Sequence, residues 1–382
     1  MQLAGVGIGL WRQTEAVMRN QWKDLQRIER KCRKRPVFRT WSGHVVVGAP
    51  ELAREAVLVG TGQRLSGKPL FWKADGDTLP RPSRVAMNQW VTGRVARQDP
   101  AESARAAVRR LLVEAGDLHY LCAQGVLDGL LNTIGCADDE RLEQIVRRFF
   151  ATVFVPLILG QLDPQTNVRR FEQAASEAGT LLAGRDLIPP VLGELGEREP
   201  ALLGELYLRT TSAFVASLAI SFAWLIAALS TERLVSLGAM ASRAELRRAR
   251  PEWIALETLR LWPPIWELRR TALCSQRIGE LSVLKGDFVH VPVYAIHRQP
   301  DRWENPDAFD PARWHDRAPS SLLTFSAGPS ACVGARFATE WLAAAGSAVL
   351  DEPKGLRTTC LERVPNVATS LTPPLHRVDP SE

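Results

Sequence analysis

Residues 212–230 are nineteen consecutive residues without a charge. A stretch of this length is long enough to span a membrane as a helix. We predict instead a long helix buried in a large core, because one internal span would put the N-terminal half and the loop around Cys332 on opposite sides of a bilayer. The chain has 382 residues, 46% of them hydrophobic, and no Gly/Ser-rich or Pro-rich linker divides it. We therefore predict a single domain over residues 1–382.

Cys332 stands alone between Gly328 and Gly334, and a helical pattern runs from Arg336 to Val349. Glycines allow the backbone to turn closely, and the positive end of the following helix favours the thiolate form. A single thiolate with no CxxC partner cannot build a zinc or iron–sulfur site, but it suffices as the axial ligand of a heme iron. The competing interpretation of Cys332 is a small buried apolar residue.

Two more motifs precede the cysteine. Glu257 and Arg260 lie at i and i+3 on one helix face, and a Trp-Pro-Pro sequence ends that helix at residues 262–264. Arg313 lies in a segment, 305–314, that reads NPDAFDPARW. His297 opens the sequence HRQPDRW, and we expect it to be structural rather than catalytic.

These motifs, with Phe325, Gly328, Cys332 and Gly334 of the cysteine loop, resemble those of the cytochrome P450 family in order and spacing. The resemblance implies a mainly α fold with a small β-sheet region. Heme b would lie between a long distal helix at 201–230 and the cysteine loop with its proximal helix at 325–349. Cys332 would be the iron ligand, and Phe325, Gly328 and Gly334 would shape the loop that binds the cofactor.

The resemblance also implies a buried triad, in which Glu257, Arg260 and Arg313 fix the cysteine loop. Residues 60–98 lack a clear period, and we predict an irregular loop that covers the substrate. Before it, we expect a helix over 14–30, a strand region over 39–47 and a short helix over 50–57.

The heme propionates would be held by arginines. Arg105, in the first turns of a helix that begins near Asp99-Pro100, and Arg270, with Arg269 as its neighbouring alternative, are the candidates. Ser103 and Ser330 replace residues that are usually basic in the family, so two propionate contacts are missing.

The distal helix departs most from the family, which usually carries an acid followed by an alcohol for proton delivery to iron-bound oxygen. In the preferred alignment Ala216 replaces the acid and Ser217 the alcohol. A second register places Arg209 and Thr210 on the motif, as in a peroxide-using branch of the family. Both registers lose the protein acid.

The net charge of +6 is concentrated in a basic N-terminal segment, residues 1–35, where nine basic residues face three acidic ones. We expect a solvated basic helix rather than a nucleic-acid site, because no aromatic residues are interleaved for base stacking. The six cysteines are scattered, which favours a reducing compartment, and no export signal is visible, so we predict a cytoplasmic protein.

The function that the resemblance implies is a monooxygenase acting on a small hydrophobic molecule of secondary metabolism, with electrons from a ferredoxin and its reductase. Because the distal acid is missing, one alternative is a peroxide-driven or redox-neutral heme-thiolate enzyme that performs rearrangement, dehydration or coupling. A further alternative is a non-catalytic relative that activates a partner enzyme.

Overall fold

The computed structural model describes all residues except 1–14, 58–64, 68–80, 132–133, 135, 137–138, 159–163, 186–187, 231–240, 329–330, 353–355, 361–363, 368–369, 375 and 380–382. Within these residues the helices are α1 Glu15–Cys32, α2 Pro50–Val57, α3 Arg81–Val95, α4 Pro100–Val113, α5 Leu118–Leu130, α6 Glu140–Phe149, α7 Val155–Ile158, α8 Pro164–Ala183, α9 Pro190–Arg198, α10 Pro200–Leu229, α11 Arg243–Arg248, α12 Pro251–Leu261, α13 Val293–Ile296 and α14 Ala335–Asp351. The strands are β1 Val37–Arg39, β2 Val45–Val47, β3 Leu65–Gly67, β4 Gly116–Asp117, β5 Leu268–Ala272, β6 Gln276–Ile278, β7 Leu281–Val283, β8 Phe288–Val291, β9 Arg357–Cys360, β10 Asn366–Val367, β11 Leu371–Thr372 and β12 His376–Asp379.

Small sheets flank a helical body, which confirms the predicted fold class. The largest described sheet has the order β1-β2-β8-β5-β3. Its β2–β8 pair is parallel and its other pairs are antiparallel. Alternate residues of a strand point to the same side of a sheet. Valines of β2 and β8 therefore lie on one face, where they belong to an apolar cluster separate from the main helical core.

Helix α10 is the centre of the helical body, and it packs against α8, α5 and α14. It is the one described helix long and apolar enough to cross a membrane, yet 78% of its most apolar window is buried inside the protein. Gly204 in α10 meets Gly179 in α8 so closely that a Cβ at Gly204 would lie 1.8 Å from the carbonyl oxygen of Ala175. Glycine is therefore required where these two backbones touch.

The N-terminal region agrees with the expectation in one place and differs from it in another. The predicted strand region over 39–47 is an antiparallel pair, β1 and β2, joined by a turn in which Gly43 has a φ of +85°. The predicted irregular loop over 60–98 is wrong for its second half, where α3 forms a regular helix. The apolar residues of this segment show no clear helical period, so the sequence did not indicate the helix. Its buried residues include Met87 and Val91. Residues 58–64 and 68–80 of the predicted loop, and residues 1–14 of the basic segment, lie outside the described residues.

Candidate heme-binding site

The cysteine loop is closed by its own backbone. The N–H of Cys332 donates to the carbonyl of Phe325 at 2.8 Å, and the N–H of Ala331 donates to the carbonyl of Gly328 at 2.9 Å. Gly328 has a φ of +60°, a conformation that glycine adopts without strain, and Ser326 has the same φ. Helix α14 begins three residues after Cys332. Ser330, a predicted point of departure from the family, lies outside the described residues.

Cys332 is exposed. The pKa of its thiol is nevertheless raised, because the surrounding loop removes part of the hydration of the sulfur, while a hydrogen bond from the N–H of Gly334 opposes the shift. The surroundings of the sulfur thus oppose the effect expected from the helix terminus. A metal ion bound to the sulfur would favour the deprotonated form.

Glu257 lies at the centre of a buried hydrogen-bond network that joins α12 to the segment around Arg313. Its carboxylate accepts two bonds from Arg260, at 2.8 and 2.9 Å, and one from Nε of Arg313 at 2.9 Å. The indole N–H of Trp314 and the backbone N–H of Asp310 donate to the same carboxylate at 3.0 Å. The structure thus brings together the three residues that the sequence analysis grouped, and it adds two donors that no motif indicated.

Arg260 connects this network to the backbone of the preceding segment. Its guanidinium donates to the carbonyls of His297, Pro306 and Ala308 at 2.7–3.0 Å. Both Glu257 and Arg260 are fully buried, so each depends on its partners to replace water.

His297 joins the Arg260 helix to the cysteine loop. Its Nε2 accepts from the N–H of Leu323 at 2.9 Å, so its Nδ1 carries the proton and donates to the carbonyl of Arg260 at 3.2 Å. Burial lowers the pKa of His297 to about 3, and the positive charge of Arg260 adds to that shift. The expected structural role is consistent with these contacts, although the connection to the loop had no signal in the sequence.

The two candidate propionate arginines have different environments. Arg270, on β5, is 6% exposed, and its Nε has no hydrogen-bond partner among the described residues. Burial lowers the pKa of its guanidinium, and no described neighbouring charge contributes to that shift. Arg269, the alternative, is already paired with Glu267 at 2.6 Å. Arg105 is exposed on α4.

Ser103, which replaces a residue that is usually basic in the family, is buried and accepts a hydrogen bond from the indole N–H of Trp341 at 3.0 Å. A Cβ at Gly129 would lie 1.8 Å from its Oγ, so the serine fits tightly between α5 and α14. Ser103 therefore holds helices together, and this tightly packed position has no space for a larger basic side chain.

The long helix α10 is buried along nearly its whole length except at one patch. Between Leu203 and Leu229 every residue is buried apart from Ala213, Phe214, Ala216 and Ser217. We call these four residues the distal patch. A Cβ at Gly334 would lie 3.1 Å from Cε1 of Phe214, so the distal patch faces the cysteine loop.

Arg209, the residue of the second register, has a partner of its own. It is buried and forms an ion pair with Glu205 at 2.7 Å, one helical turn earlier. Burial lowers the pKa of Arg209 and the Glu205 carboxylate partly offsets the shift. The i, i+4 spacing of these opposite charges was a signal for this pair that the sequence analysis missed.

Comparison with known proteins shows which protein family part of the chain resembles in sequence. Residues 252–351 match the family profile described as Cytochrome P450. Cytochrome P450 3A29 of Sus scrofa is 38% identical over 92 residues, which cover 23% of this chain and 18% of that protein. The matching region therefore spans about a fifth of the length of this curated relative.

Solved structures extend the similarity to nearly the whole chain. P450 RauA, complexed with a biosynthetic intermediate of aurachin RE, superposes with a TM-score of 0.68 at 17% identity and covers 95% of this chain and 98% of its own. P450 OxyD, involved in the biosynthesis of vancomycin-type antibiotics, gives a TM-score of 0.65 at 17% identity over 94% of this chain and 97% of its own. The chain therefore has the cytochrome P450 fold, and its residues 252–351 carry the sequence match to the cytochrome P450 family.

Proteins of this family bind heme b through a cysteine thiolate. The residues present fit that cofactor. Arg270 offers a buried cation with an unused donor, which suits a propionate carboxylate. A Cβ at Gly334 would lie within 4 Å of both the Phe214 ring and Sγ of Cys332, so the ligand sulfur and this face of α10 lie close to each other.

Proposed function

We propose that this chain is a heme-thiolate monooxygenase that oxidises a small hydrophobic molecule of secondary metabolism. The observation that carries the proposal is the position of Cys332, on a loop that lies against Phe214 of the distal patch and follows Leu323, whose N–H is bonded to His297. When bound, heme supplies the oxidising chemistry, since a thiolate ligand favours cleavage of the O–O bond.

Within this proposal each protein residue has a defined task. Cys332 ligates the iron, Phe325, Gly328 and Gly334 shape its loop, and Arg270 neutralises a propionate. Arg105 is the second propionate candidate; its exposure on α4 leaves its side chain free to reorient.

The distal patch supplies the site for the reaction. Ala213, Phe214 and Ala216 make it apolar, which suits a hydrophobic substrate. Ser217 carries the only hydroxyl on the patch and is the group that would hold a proton-carrying water. The biosynthetic settings of P450 RauA and P450 OxyD support a secondary metabolite as the substrate. We further propose a cytoplasmic enzyme that receives electrons from a ferredoxin and its reductase.

The test is the absorption spectrum of purified protein, ferric and then reduced under carbon monoxide. We expect a thiolate-type Soret shift that Cys332→Ala abolishes. Cys274→Ser, a change at an exposed cysteine outside the site, is the matched control and keeps the shift. A thiolate spectrum that survives Cys332→Ala would refute the assignment. Absence of heme from the wild-type protein would instead favour a partner-activating relative.

One observation favours a second candidate, a peroxide-driven or redox-neutral heme-thiolate enzyme. The distal patch contains no acid, and in the preferred sequence alignment Ala216 replaces the usual one. Arg209 already faces Glu205, which argues against the arrangement in which an arginine binds a substrate carboxylate. Product formed with hydrogen peroxide, or with no reductant, and not with NADPH, ferredoxin and reductase would decide for this candidate.

A further inference from the structure

Phe214 is the one large side chain of the distal patch, whose other members are two alanines and a serine. Its neighbour Val215, about 100° further round the helix, is fully buried in the core. Phe214 is only partly buried, so its ring is not locked in the interior of the helical body.

The ring bridges α10 and the cysteine loop. A Cβ at Gly334 would lie 3.1 Å from Cε1 and 3.6 Å from Cδ1 of Phe214, and 3.8 Å from Sγ of Cys332. The aromatic ring and the ligand sulfur thus lie near the same point of the loop. A porphyrin whose iron is bonded to that sulfur has to lie between the loop and α10, where the ring now bridges them.

We propose that Phe214 lies in part of the space that heme would take, and that its ring has to rotate away for heme to bind. The inference rests on the proposed heme-thiolate function. Phe214 is then a residue that sets heme affinity, because part of the binding free energy is spent on moving the ring out of its apolar contacts. The other members of the distal patch, Ala213, Ala216 and Ser217, have small side chains.

The distinguishing experiment is a titration of heme-free protein with hemin, followed by quenching of tryptophan fluorescence and by the Soret band. Phe214→Ala removes the ring, and we expect it to bind hemin about tenfold more tightly than the wild type, which corresponds to about 1.4 kcal/mol. Val215→Ala is the matched control. It removes apolar atoms from the same helical turn on the buried side, so it reports any general loosening of α10 and should leave the hemin affinity equal or weaker.

Phe214→Leu keeps an apolar side chain and replaces the alanine variant in the titration if that variant does not fold. Its affinity for hemin should fall between those of the wild type and Phe214→Ala. A second readout needs no heme. In a Cys274→Ser background, the rate of alkylation of Cys332 should rise in Phe214→Ala and not in Val215→Ala. Cys332→Ala gives the background for unspecific hemin binding and alkylation.

The outcomes separate the two proposals. If the wild type and Phe214→Ala show thiolate-ligated heme with equal affinity, the role of Phe214 is refuted and the proposed function stands. The role is also refuted if Val215→Ala tightens binding as much as Phe214→Ala does. If no variant binds heme above the Cys332→Ala background, the proposed function is refuted, and the role of Phe214 with it.

Discussion

The Glu257 carboxylate is the most heavily used acceptor near the site, and Glu257→Gln is the perturbation that tests its role. The side chain is fully buried and accepts five hydrogen bonds, two of them from Arg260 and one from Arg313. Glutamine keeps the shape, but it removes the only charge that faces the two guanidiniums in this network. It also points an N–H₂ group at donors that already carry hydrogens.

The expected cost follows from those contacts. Breaking a buried ion pair and leaving the other charge unpaired costs about 3–5 kcal/mol, and we expect about 4 kcal/mol for Glu257→Gln. For a chain of this length the entropy of unfolding at the midpoint is roughly 0.8 kcal/mol per kelvin, so the melting temperature should fall by about 5 °C. Because Arg260 also holds three carbonyls of the 297–308 segment, the cysteine loop should loosen together with the network.

The assay is thermal and urea unfolding of the heme-free protein, so that heme binding does not contribute to the measured stability. Asp24→Asn is a matched control, since Asp24 and Arg27 also form a carboxylate–arginine pair three residues apart on a helix, at 2.7 Å, but both are largely exposed. An exposed pair contributes under about 1 kcal/mol. If Glu257→Gln lowers the free energy of unfolding by no more than Asp24→Asn does, the argument that burial makes this network strongly stabilising is refuted.

Three further predictions concern other positions. Burial holds the pKa of His297 near 3, below its unfolded value of 6.5, so between those pH values the unfolded chain binds a proton that the folded chain does not, and stability falls as the pH falls. From pH 6.5 to 5 the loss should be about 2 kcal/mol in urea unfolding, and it should disappear in His297→Gln; equal losses in both proteins would contradict this. Gly204→Ala should lower the free energy of unfolding by at least about 3 kcal/mol in the same assay, because its Cβ would meet a backbone oxygen. Gly193→Ala lies in a helix with open space around it and should raise that free energy by up to about 1 kcal/mol. Similar effects of the two changes would refute the close approach of α10 and α8. Arg270→Met removes a buried charge without a described counter-ion, so the heme-free protein should be as stable as the wild type or more stable. The same change should weaken hemin binding at least about tenfold. An unchanged hemin affinity would exclude Arg270 as a propionate partner.

Residues of the site that depend on local pattern could be predicted from the sequence. Glu257 and Arg260 lie one turn apart on α12, and the glycines around Cys332 lie within the same loop. The predicted distal helix at 201–230 agrees with α10 to within one residue at each end, because the uncharged stretch 212–230 predicts a buried helix and Pro200 is typical of a first helical residue.

What the sequence could not predict depends on contacts between distant segments. Phe214 and Gly334 are 120 positions apart, and no local period indicates that a ring on α10 reaches the cysteine loop. Ser103 was interpreted by what it replaces, although its hydrogen bond with Trp341 gives it a packing role of its own. The structured part of the 60–98 region was missed because α3 carries polar and aromatic residues without a clear apolar stripe, so tertiary packing rather than pattern determines it.

The hydrogen bonding of each residue separates the scaffold from the ligand site. Glu257, Arg260 and His297 find their described partners within the protein, and His297 connects them to Leu323, just before the loop that carries Cys332. Arg270 has an unused donor, and the distal patch has an uncovered apolar surface. Buried polar groups left without partners are costly, which makes a ligand the natural complement of Arg270. Changes in the first group should therefore alter stability with or without heme, and changes in the second should alter chiefly the binding of heme.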